Sequence, residues 1–599
     1  MTGSEYIAEF LTRIGSRRVF TLQGGACAFM VDAVGRHPDL EVICVQNEQA
    51  AAMAADAVWR VSRRVGVTMA TSGPGATNLI TGIACSYFDS IPSIHITGQV
   101  NQRESSAVHG ANVRQSGFQE TKIVEIVRPI TKYAVLVKSV EELRRELSKA
   151  YNIAISGRMG PVLIDVPMDI QQAEMEPIFD DLSRRDDVDV ESINHAAYAL
   201  SDILSAAKRP VVLWGGGIGL AGVEADVATW ISETGLPFVS SWAGLTSFPH
   251  KHPQFVGQIG VYGNRGANFV LQNADTVIAL GSRLDNRQRS GNADNFATDA
   301  TVAVVDVDVE ELRKYANDRY RGIHLDLHDF PKVAAQVPSV NLDPEWIAYV
   351  REMKSAYYGR ETSSTALRLN TLSPYDVIRR LSEIVDEDAV IAADTGAAVC
   401  WLHQSFSVKR QTLFTAGGNS PMGYALCAAI GAKLEAPQRQ VISYNGDGGL
   451  QVNIQELQTI RHLDLDIAVI VMNNGCYGII KQFQDSYLGS RYIASKDGYS
   501  TPDFGAVAKA YGLAYARIEK MSDLTPDLFK QGPILIDVVL SDQTLIEPKL
   551  EMGRPINDQY PYLSQAEYTQ GNRYVPYPRP AHLEVMIGAE GSNLEQQSL

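Results

Sequence analysis

The amino-acid sequence predicts an α/β protein: three doubly wound parallel-sheet domains followed by an irregular C-terminal tail. Three observations lead there. The chain has 599 residues, room for several domains of roughly 100–200 residues each. Short β-rich runs alternate with Ala-rich helical stretches over most of its length, the pattern of βαβ units on a parallel sheet. Finally, Gly160-Pro161-Val162-Leu163-Ile164-Asp165-Val166 returns as Gly532-Pro533-Ile534-Leu535-Ile536-Asp537-Val538. At the same displacement Asn47, which opens one Ala-rich run, meets Asn419, which opens another. A buried parallel strand alone often reads like PVLIDV. With several α/β segments in the chain, a duplicated architecture with a different domain between the copies is the better reading.

The elements follow in order. Residues 1–172 carry the β-rich runs EVICVQ, VGVTMAT, SIHITG and PVLIDV between the helical stretches NEQAAAMAADAVW, TNLITGIACSYF and EELRRELSKAYNIA. The charged EMEPIFDDLSRRDDVDVES reads as a linker. Residues 190–340 form a second α/β domain with strands PVVLWGG, TVIALGS and TVAVVDVD. Beyond the polar DPEWIAYVREMKSAYYGRETSS region lies a third, residues 368–545, whose regular elements begin near Pro374. Residues 546–599, rich in Pro, Tyr, Asn and Gln, read as an irregular arm or a disordered tail.

Composition excludes several classes of function. With 53 basic and 69 acidic residues the net charge is -16, which argues against a general nucleic-acid surface. A local phosphate site stays open, because a metal ion or backbone N–H groups can hold a phosphate. Six scattered cysteines with no CxxC pair read as reduced thiols in a cytoplasmic protein. The N-terminus lacks a signal-peptide pattern and no apolar run reaches the length of a membrane span.

The most informative motif lies in the third domain. Gly446-Asp447-Gly448 follows the strand VISYN, and some two dozen residues later the strand IAVIVMNN ends in Asn473-Asn474. Two such strand ends share the carboxyl edge of a doubly wound sheet, where ligands bind. Asp447 and the Asn474 amide oxygen are hard ligands suited to Mg²⁺, and the Cys476 carbonyl could complete the protein's share. Gly448 and Gly449 allow close backbone approach, and the helix LQVNIQELQTIRHL offers its first N–H groups to a phosphate.

At this point the sequence resembles the thiamine diphosphate (ThDP) enzymes, whose diphosphate motif is a GDG followed by NN, and most of all the acetohydroxyacid (acetolactate) synthases. The resemblance rests on QGGACAFMVDAV, QNEQAAAMAADA, ATSGPGATNLITGIACSYFDSIPSIHITGQV, FQETKIVEIVRPITKY, GSRLDNR and PMGYALCAAIGA, and it runs from residue 1 to about residue 545. It implies the domain order pyrimidine-binding, central and diphosphate-binding, with ThDP and Mg²⁺ as cofactors. Glu48 matches the glutamate that pairs with the aminopyrimidine N1′. From the residues alone it is either a helix N-terminal acid or a poorly solvated carboxylate suited to proton exchange. Met422 matches the residue wedged between the cofactor rings; its other reading is core filling beside small residues. Gly24, Gly25, Ser420, Gly446, Gly448 and Gly449 join the cofactor-binding set. Because Glu48 and Met422 lie on different domains, which in the family come from two subunits, a homodimer or homotetramer is implied.

The substrate side is less uniform. Phe118 and Gln119 match an aromatic wall and an amide near the reacting carbon. Arg287 matches an arginine that engages a carboxylate, although with Arg283 and Arg289 nearby a surface cluster is the competing reading. Where the family carries a lysine, a GMHG methionine and a tryptophan, this chain has Met168, Val261 and Phe483. Activation chemistry is expected to be kept while the acceptor or donor differs. WGGGIG, GSRLDNR and DVDVEEL resemble stretches that hold a non-redox FAD, yet the exchange of GMHG for GVYG removes two matching contacts, so FAD binding is left open.

The leading expectation is a carboligase that decarboxylates a 2-oxo acid such as pyruvate and transfers the acyl unit to a carbonyl acceptor, as in acetolactate synthesis. Transfer to a keto sugar or another secondary metabolite comes second. A plain decarboxylase is third, because none of the 11 histidines adjoins another to form the pair such enzymes use. A non-catalytic scaffold is disfavoured by the joint presence of Glu48, Asp447, Asn474 and Met422.

Overall fold

The computed structural model describes residues 1–109, 113–180, 182, 189–315, 318–338 and 340–579. Part of the charged linker and the last twenty residues of the tail lie outside the described residues.

Alternation of β-rich and helical runs produces three six-stranded sheets in which every pairing within the sheets is parallel. The first holds β1 (Arg18–Leu22), β2 (Glu41–Cys44), β3 (Gly66–Ala70), β4 (Ser93–Gln99), β5 (Tyr133–Leu136) and β6 (Val162–Pro167) in the order 2-1-3-4-6-5. The second holds β7 (Pro210–Trp214), β8 (Phe238–Ser240), β9 (Phe255–Gln258), β10 (Thr276–Leu280), β11 (Thr301–Asp306) and β12 (Tyr320–His324) in the order 12-11-10-7-8-9. The third holds β13 (Val390–Ala393), β14 (Thr412–Phe414), β15 (Val441–Gly446), β16 (Ile467–Asn473), β17 (Ala514–Ile518) and β18 (Ile534–Val539) in the order 14-13-15-16-18-17. Counted within each domain, the first and third orders are identical and the second differs.

The repeated heptapeptide therefore supplies equivalent strands, β6 and β18. Its aspartate does the same work in both copies. Asp165 accepts hydrogen bonds from Thr97 Oγ1 (2.7 Å) and Gln99 Nε2 (2.9 Å) at the end of β4, while Asp537 accepts from Asn473 Nδ2 (3.0 Å) at the end of β16. The second anchor of the repeat holds only in the first copy. Asn47 caps the helix Glu48–Ser62, its side chain accepting from Gln49 N (2.8 Å). Asn419 caps nothing, because the matching helix starts later, at Tyr424–Glu435. Pro421 and the left-handed backbone of Ser420 (φ 54°) and Gly423 (φ 86°) keep the intervening turn out of the helix. The expected helix LQVNIQELQTIRHL is likewise two pieces, Asp447–Val452 and Leu457–His462. Asn453 makes the break, its Nδ2 donating to Gly423 O (3.1 Å).

Helices Glu48–Ser62 and Tyr424–Glu435 pack against each other and merge the cores of the first and third domains. Ala51, Ala54 and Val58 share one apolar cluster with Leu426, Ala429 and Ile430. Gly431 is required here: a Cβ on it would sit 2.2 Å from the Ala54 carbonyl oxygen. Beside this contact the buried Asp56 accepts from Arg60 Nε (2.6 Å), Ser86 Oγ (3.0 Å) and the Tyr424 hydroxyl. Arg60 continues to Asp89 (2.7 Å), which accepts from the N–H groups of Gly417 (3.0 Å) and Gly418 (2.8 Å).

The described part of the tail is an arm laid on the central domain. It is irregular apart from the helix Gln565–Gly571. Helix Arg265–Asn273 receives it: Arg265 Nη1 donates to Gln559 O (3.0 Å), Asn268 Nδ2 to Ile556 O (2.8 Å) and Asn273 Nδ2 to Gly571 O (3.0 Å).

Removing Asp56 leaves Arg60 buried among apolar side chains without its main partner. Asp56→Ala is expected to cost about 3–5 kcal/mol, read as a lowered midpoint of thermal unfolding, with Asp56→Asn losing less. An unchanged midpoint for Asp56→Ala would show that the clasp contributes nothing.

Candidate active site

Two groups of the expected residues assemble at the carboxyl edges of the first and third sheets. At the first edge Glu48 opens its helix directly after β2. Only 4% of its surface is exposed, and Oε2 accepts from Asn78 Nδ2 (2.9 Å). Oε1 makes no hydrogen bond among the described residues and lies 3.1 Å from where a Cβ on Gly75 would stand. Thr71 connects this carboxylate to the glycine pair: its Oγ1 accepts from Ala26 N (3.1 Å), and a Cβ on Gly24 would be 2.6 Å from its side chain. Gly25 faces open space. Gln119, in a left-handed conformation (φ 62°), has its Cβ 2.9 Å from the Cβ position of Gly73. Its neighbour Phe118 is 85% exposed. Glu48, Gly24, Gly25, Phe118 and Gln119 thus share one neighbourhood.

At the third edge Asp447 follows β15. Its Oδ1 accepts from Gly448 N (2.7 Å) and the Tyr499 hydroxyl (3.1 Å), and its Oδ2 from Gly475 N (2.7 Å). Burial pushes this carboxyl up to about 6, against the hydrogen bonds that favour the charged form. The two asparagines after β16 are not equivalent. Asn473 is tied to Asp537, whereas the buried Asn474 has no partner for its Nδ2 among the described residues. Cys476 is buried in the next turn, its thiol directed at Asp542 O (3.8 Å). The Asp447 carboxylate, the Asn474 amide oxygen and a turn carbonyl form a donor set that fits Mg²⁺ with phosphate oxygens and water completing the shell, and the unpartnered Asn474 Nδ2 suits a phosphate acceptor.

The structure gives Gly448 and Gly449 a packing reason of their own. Cβ atoms on them would meet Tyr477 Cε1 at 2.3 Å and the Asp394 carboxyl at 2.8 Å. Met422 Cε lies 3.2 Å from the same Gly448 position, so the methionine stands beside the GDG turn. Ser420 bonds Thr395 through their hydroxyls (2.6 Å). Asp394, absent from the sequence-based set, accepts from Thr395 N (2.7 Å) and Gly423 N (2.9 Å) and so fixes the turn that presents Met422; burial pushes it up to about 7. Asn78 and Tyr499 were also missed. Asn78 lies inside the quoted ATSGPGATN stretch but carries no signal of its own, and Tyr499 sits in a loop with no periodicity.

Arg287 stands apart from both groups. It lies on the short helix Asn286–Arg289 of the central domain, with its guanidinium carbon 5.4 Å from the centroid of the Trp242 ring. It lines a cavity of about 1070 Å³ between the three domains. The ends of β7, β10 and β11 bring Gly216, Gly217, Gly281 and Asp306 to this cavity, and Arg158 and Arg283 border it. Glycine-lined strand-to-helix turns with an acid at a neighbouring strand end fit a dinucleotide.

A buried glutamate at one sheet edge and a GDG/NN pair at the edge of another are the site features expected of a ThDP enzyme. The family models agree. The N-terminal TPP-binding domain of thiamine pyrophosphate enzymes matches residues 1–126, the central domain residues 198–330 and the C-terminal TPP-binding domain residues 394–538. Among curated proteins, the acetolactate synthase large subunit of Lactococcus lactis subsp. lactis is 33% identical over 92% of this chain and 95% of its own length. The isozyme 1 large subunit of Escherichia coli is 34% identical over 92% of this chain and 96% of its own, and the large subunit of Corynebacterium glutamicum is 32% identical over 93% and 90%. The chain belongs to the thiamine pyrophosphate enzymes, in the acetolactate synthase large-subunit family. No helix among the described residues is long and apolar enough to cross a membrane.

Calorimetric titration of ThDP with and without Mg²⁺ checks the metal assignment. Asp447→Ala should abolish the dependence on Mg²⁺ and weaken cofactor uptake at least about tenfold, a charge-assisted ligand contact being worth at least ~1.4 kcal/mol.

Proposed function

We propose that this protein is a ThDP- and Mg²⁺-dependent carboligase that decarboxylates a 2-oxo acid, pyruvate in the simplest case, and adds the acyl unit to a carbonyl acceptor. Glu48 carries the reading: a buried carboxylate with one oxygen tied to Asn78 and the other unbonded, at the carboxyl edge of a nucleotide-type sheet. When bound, ThDP supplies a carbon nucleophile and a sink for the electron pair left by decarboxylation. Glu48 Oε1 is the atom positioned to exchange a proton with the cofactor's ring nitrogen, while Asn78 keeps Oε2 from rotating into its place. Asp447, the Asn474 amide and the Cys476 carbonyl would hold the metal, and Gly24, Gly25, Ser420, Met422 and Gly446 to Gly449 would shape the cofactor cleft. Phe118 and Gln119 would border the reacting carbon from the first domain, and Arg287 would meet a substrate carboxylate from the central one.

The site is proposed to form between two copies of the chain. Support comes from the hydrogen bonds of Glu48 and Asp447, whose partners all belong to their own domains. Further support comes from the apolar groups left exposed near each edge, Phe29 and Phe118 at one and Ile480, Phe483 and Ile493 at the other. An FAD in the central cavity is part of the same reading, favoured by the glycine-lined strand ends.

A second acceptor class is favoured by the pocket residues Met168, Val261 and Phe483, which differ in size and charge from what the family carries there. Phe483 packs on Tyr487 with ring centroids 4.8 Å apart, narrowing that side.

Incubation with pyruvate, ThDP and Mg²⁺, followed by assay of CO₂, acetolactate and acetaldehyde, separates the readings. Acetolactate supports the simplest one, CO₂ released only with an added carbonyl compound supports the second, and acetaldehyde alone points to a decarboxylase. Glu48→Gln should lower turnover about 10²–10⁴-fold; retention within a few-fold removes its role. Protein purified after growth or refolding with FAD should co-elute with a flavin absorbance band, and its absence would withdraw the flavin.

A further inference from the structure

The tail brings one residue to the substrate side that no motif announced. Lys549 is only 7% exposed and its Nζ makes no hydrogen bond or ion pair among the described residues. Its position is fixed by backbone. Lys549 pairs with Tyr560 in both directions (2.9 and 2.8 Å), and Leu550 N donates to Val261 O (2.8 Å). Val261 N in turn donates to Arg287 O (2.8 Å), so the tail, the GVYG turn and the arginine form one ladder.

Side-chain direction follows from this register. Leu550 packs into the central-domain core, so Lys549, its neighbour in an extended segment, points the opposite way, toward the third domain. There the tail crosses two helices, Ala397–Ser405 and Gly478–Tyr487: Gln404 Nε2 donates to Pro548 O (2.7 Å), and Gln482 Nε2 donates to Ile546 O (3.0 Å). Both helices begin at the edge that carries Asn474, where a Cβ on Gly478 would touch Asn474 Nδ2 at 2.6 Å and Ala397 Cβ at 3.5 Å. Lys549 therefore lies over the last turn of helix Ala397–Ser405 and the middle of helix Gly478–Tyr487, where the buried Cys400 is near enough to feel the charges of both Lys549 and Arg287, the latter against Trp242 on the central-domain side.

Two acids lie in the vicinity, and both are engaged. Asp485 accepts from the Tyr492 hydroxyl (2.6 Å) and faces Lys481 (3.8 Å), and Glu551 accepts from the Tyr562 hydroxyl. A side chain largely buried along its stem whose ammonium finds no protein counter-charge leaves that charge for water or a ligand to meet. Burial lowers the amine's proton affinity, as expected for such a group.

We propose that Lys549 and Arg287 form a two-point clamp for an acceptor that bears an anionic group, phosphate or second carboxylate, in addition to the charge that Arg287 takes. Arg287 offers a planar fork and Lys549 a point charge, two chemically different contacts on one molecule. This assignment rests on the carboligase reading and narrows it to a substrate class.

Kinetics on the full chain loaded with ThDP and Mg²⁺, with pyruvate as donor, test it. Two acceptor pairs distinguish the anions: hydroxypyruvate against its 3-phosphate ester, and 2-oxobutyrate against 2-oxoglutarate. The wild type should favour the more anionic member of one pair by at least about tenfold in kcat/KM, the scale of one charge-assisted contact. K549M should lose that preference, mainly through KM, and K549R should keep most of it. Inorganic phosphate should compete with the charged acceptor and not with pyruvate, a measurement that stands even if K549M fails to fold. CO₂ release without any charge preference, or a preference that K549M retains, overturns the clamp and leaves the carboligase reading intact. No CO₂ release from any 2-oxo acid overturns both.

Discussion

The packing of helix Glu48–Ser62 on helix Tyr424–Glu435 is the constraint on which the rest depends. Alanines and a glycine let the two backbones approach until Gly431 touches the Ala54 carbonyl, and no larger side chain could be accommodated there. Through this contact two sheets of the same strand order are locked into one frame. The helix that begins with Glu48 is thereby the helix that fixes the third domain. Asp56, Arg60, Tyr424 and Asp89 line the same seam, so the polar groups that would be hardest to bury are spent on registering the domains.

Charge explains much of the remaining design. A net charge of -16 looks unsuited to a diphosphate ligand, yet the candidate cofactor edge adds a buried carboxylate instead of a cation. Under the proposed assignment a divalent metal carries the compensating charge. In the proposed reading Arg287 and Lys549 place basic side chains on the substrate side, where the ligand would change with every turnover.

Much of this was legible in the sequence because it depends on local pattern. The heptapeptide gave away the duplication since a strand buried on both faces tolerates few residues, and the GDG and NN pairs are strand ends with defined spacing. What remained hidden depends on distant partners. Asn78 meets Glu48 across thirty positions of chain, and Tyr499 reaches Asp447 from an irregular loop. Asn419 misled because a single proline moved the helix start, a shift that a repeat matched by displacement does not register. Asp394 was invisible for the same kind of reason as Lys549: each is an unremarkable charged residue until the fold sets it against a turn or a wall.

The arm formed by the tail has a consequence for how the protein is made. Asn268, Gln272 and Asn273 are buried polar residues of the central domain, and their partners include Ile556, Asn557 and Gly571, which lie 288, 285 and 298 residues further along the chain. Until that arm is made, the helix face that carries these amides stays open to water, and the arm later takes the solvent's place as their partner. The central domain thus cannot mature in the order in which it is translated, because its last polar contacts wait for a segment made after the whole third domain.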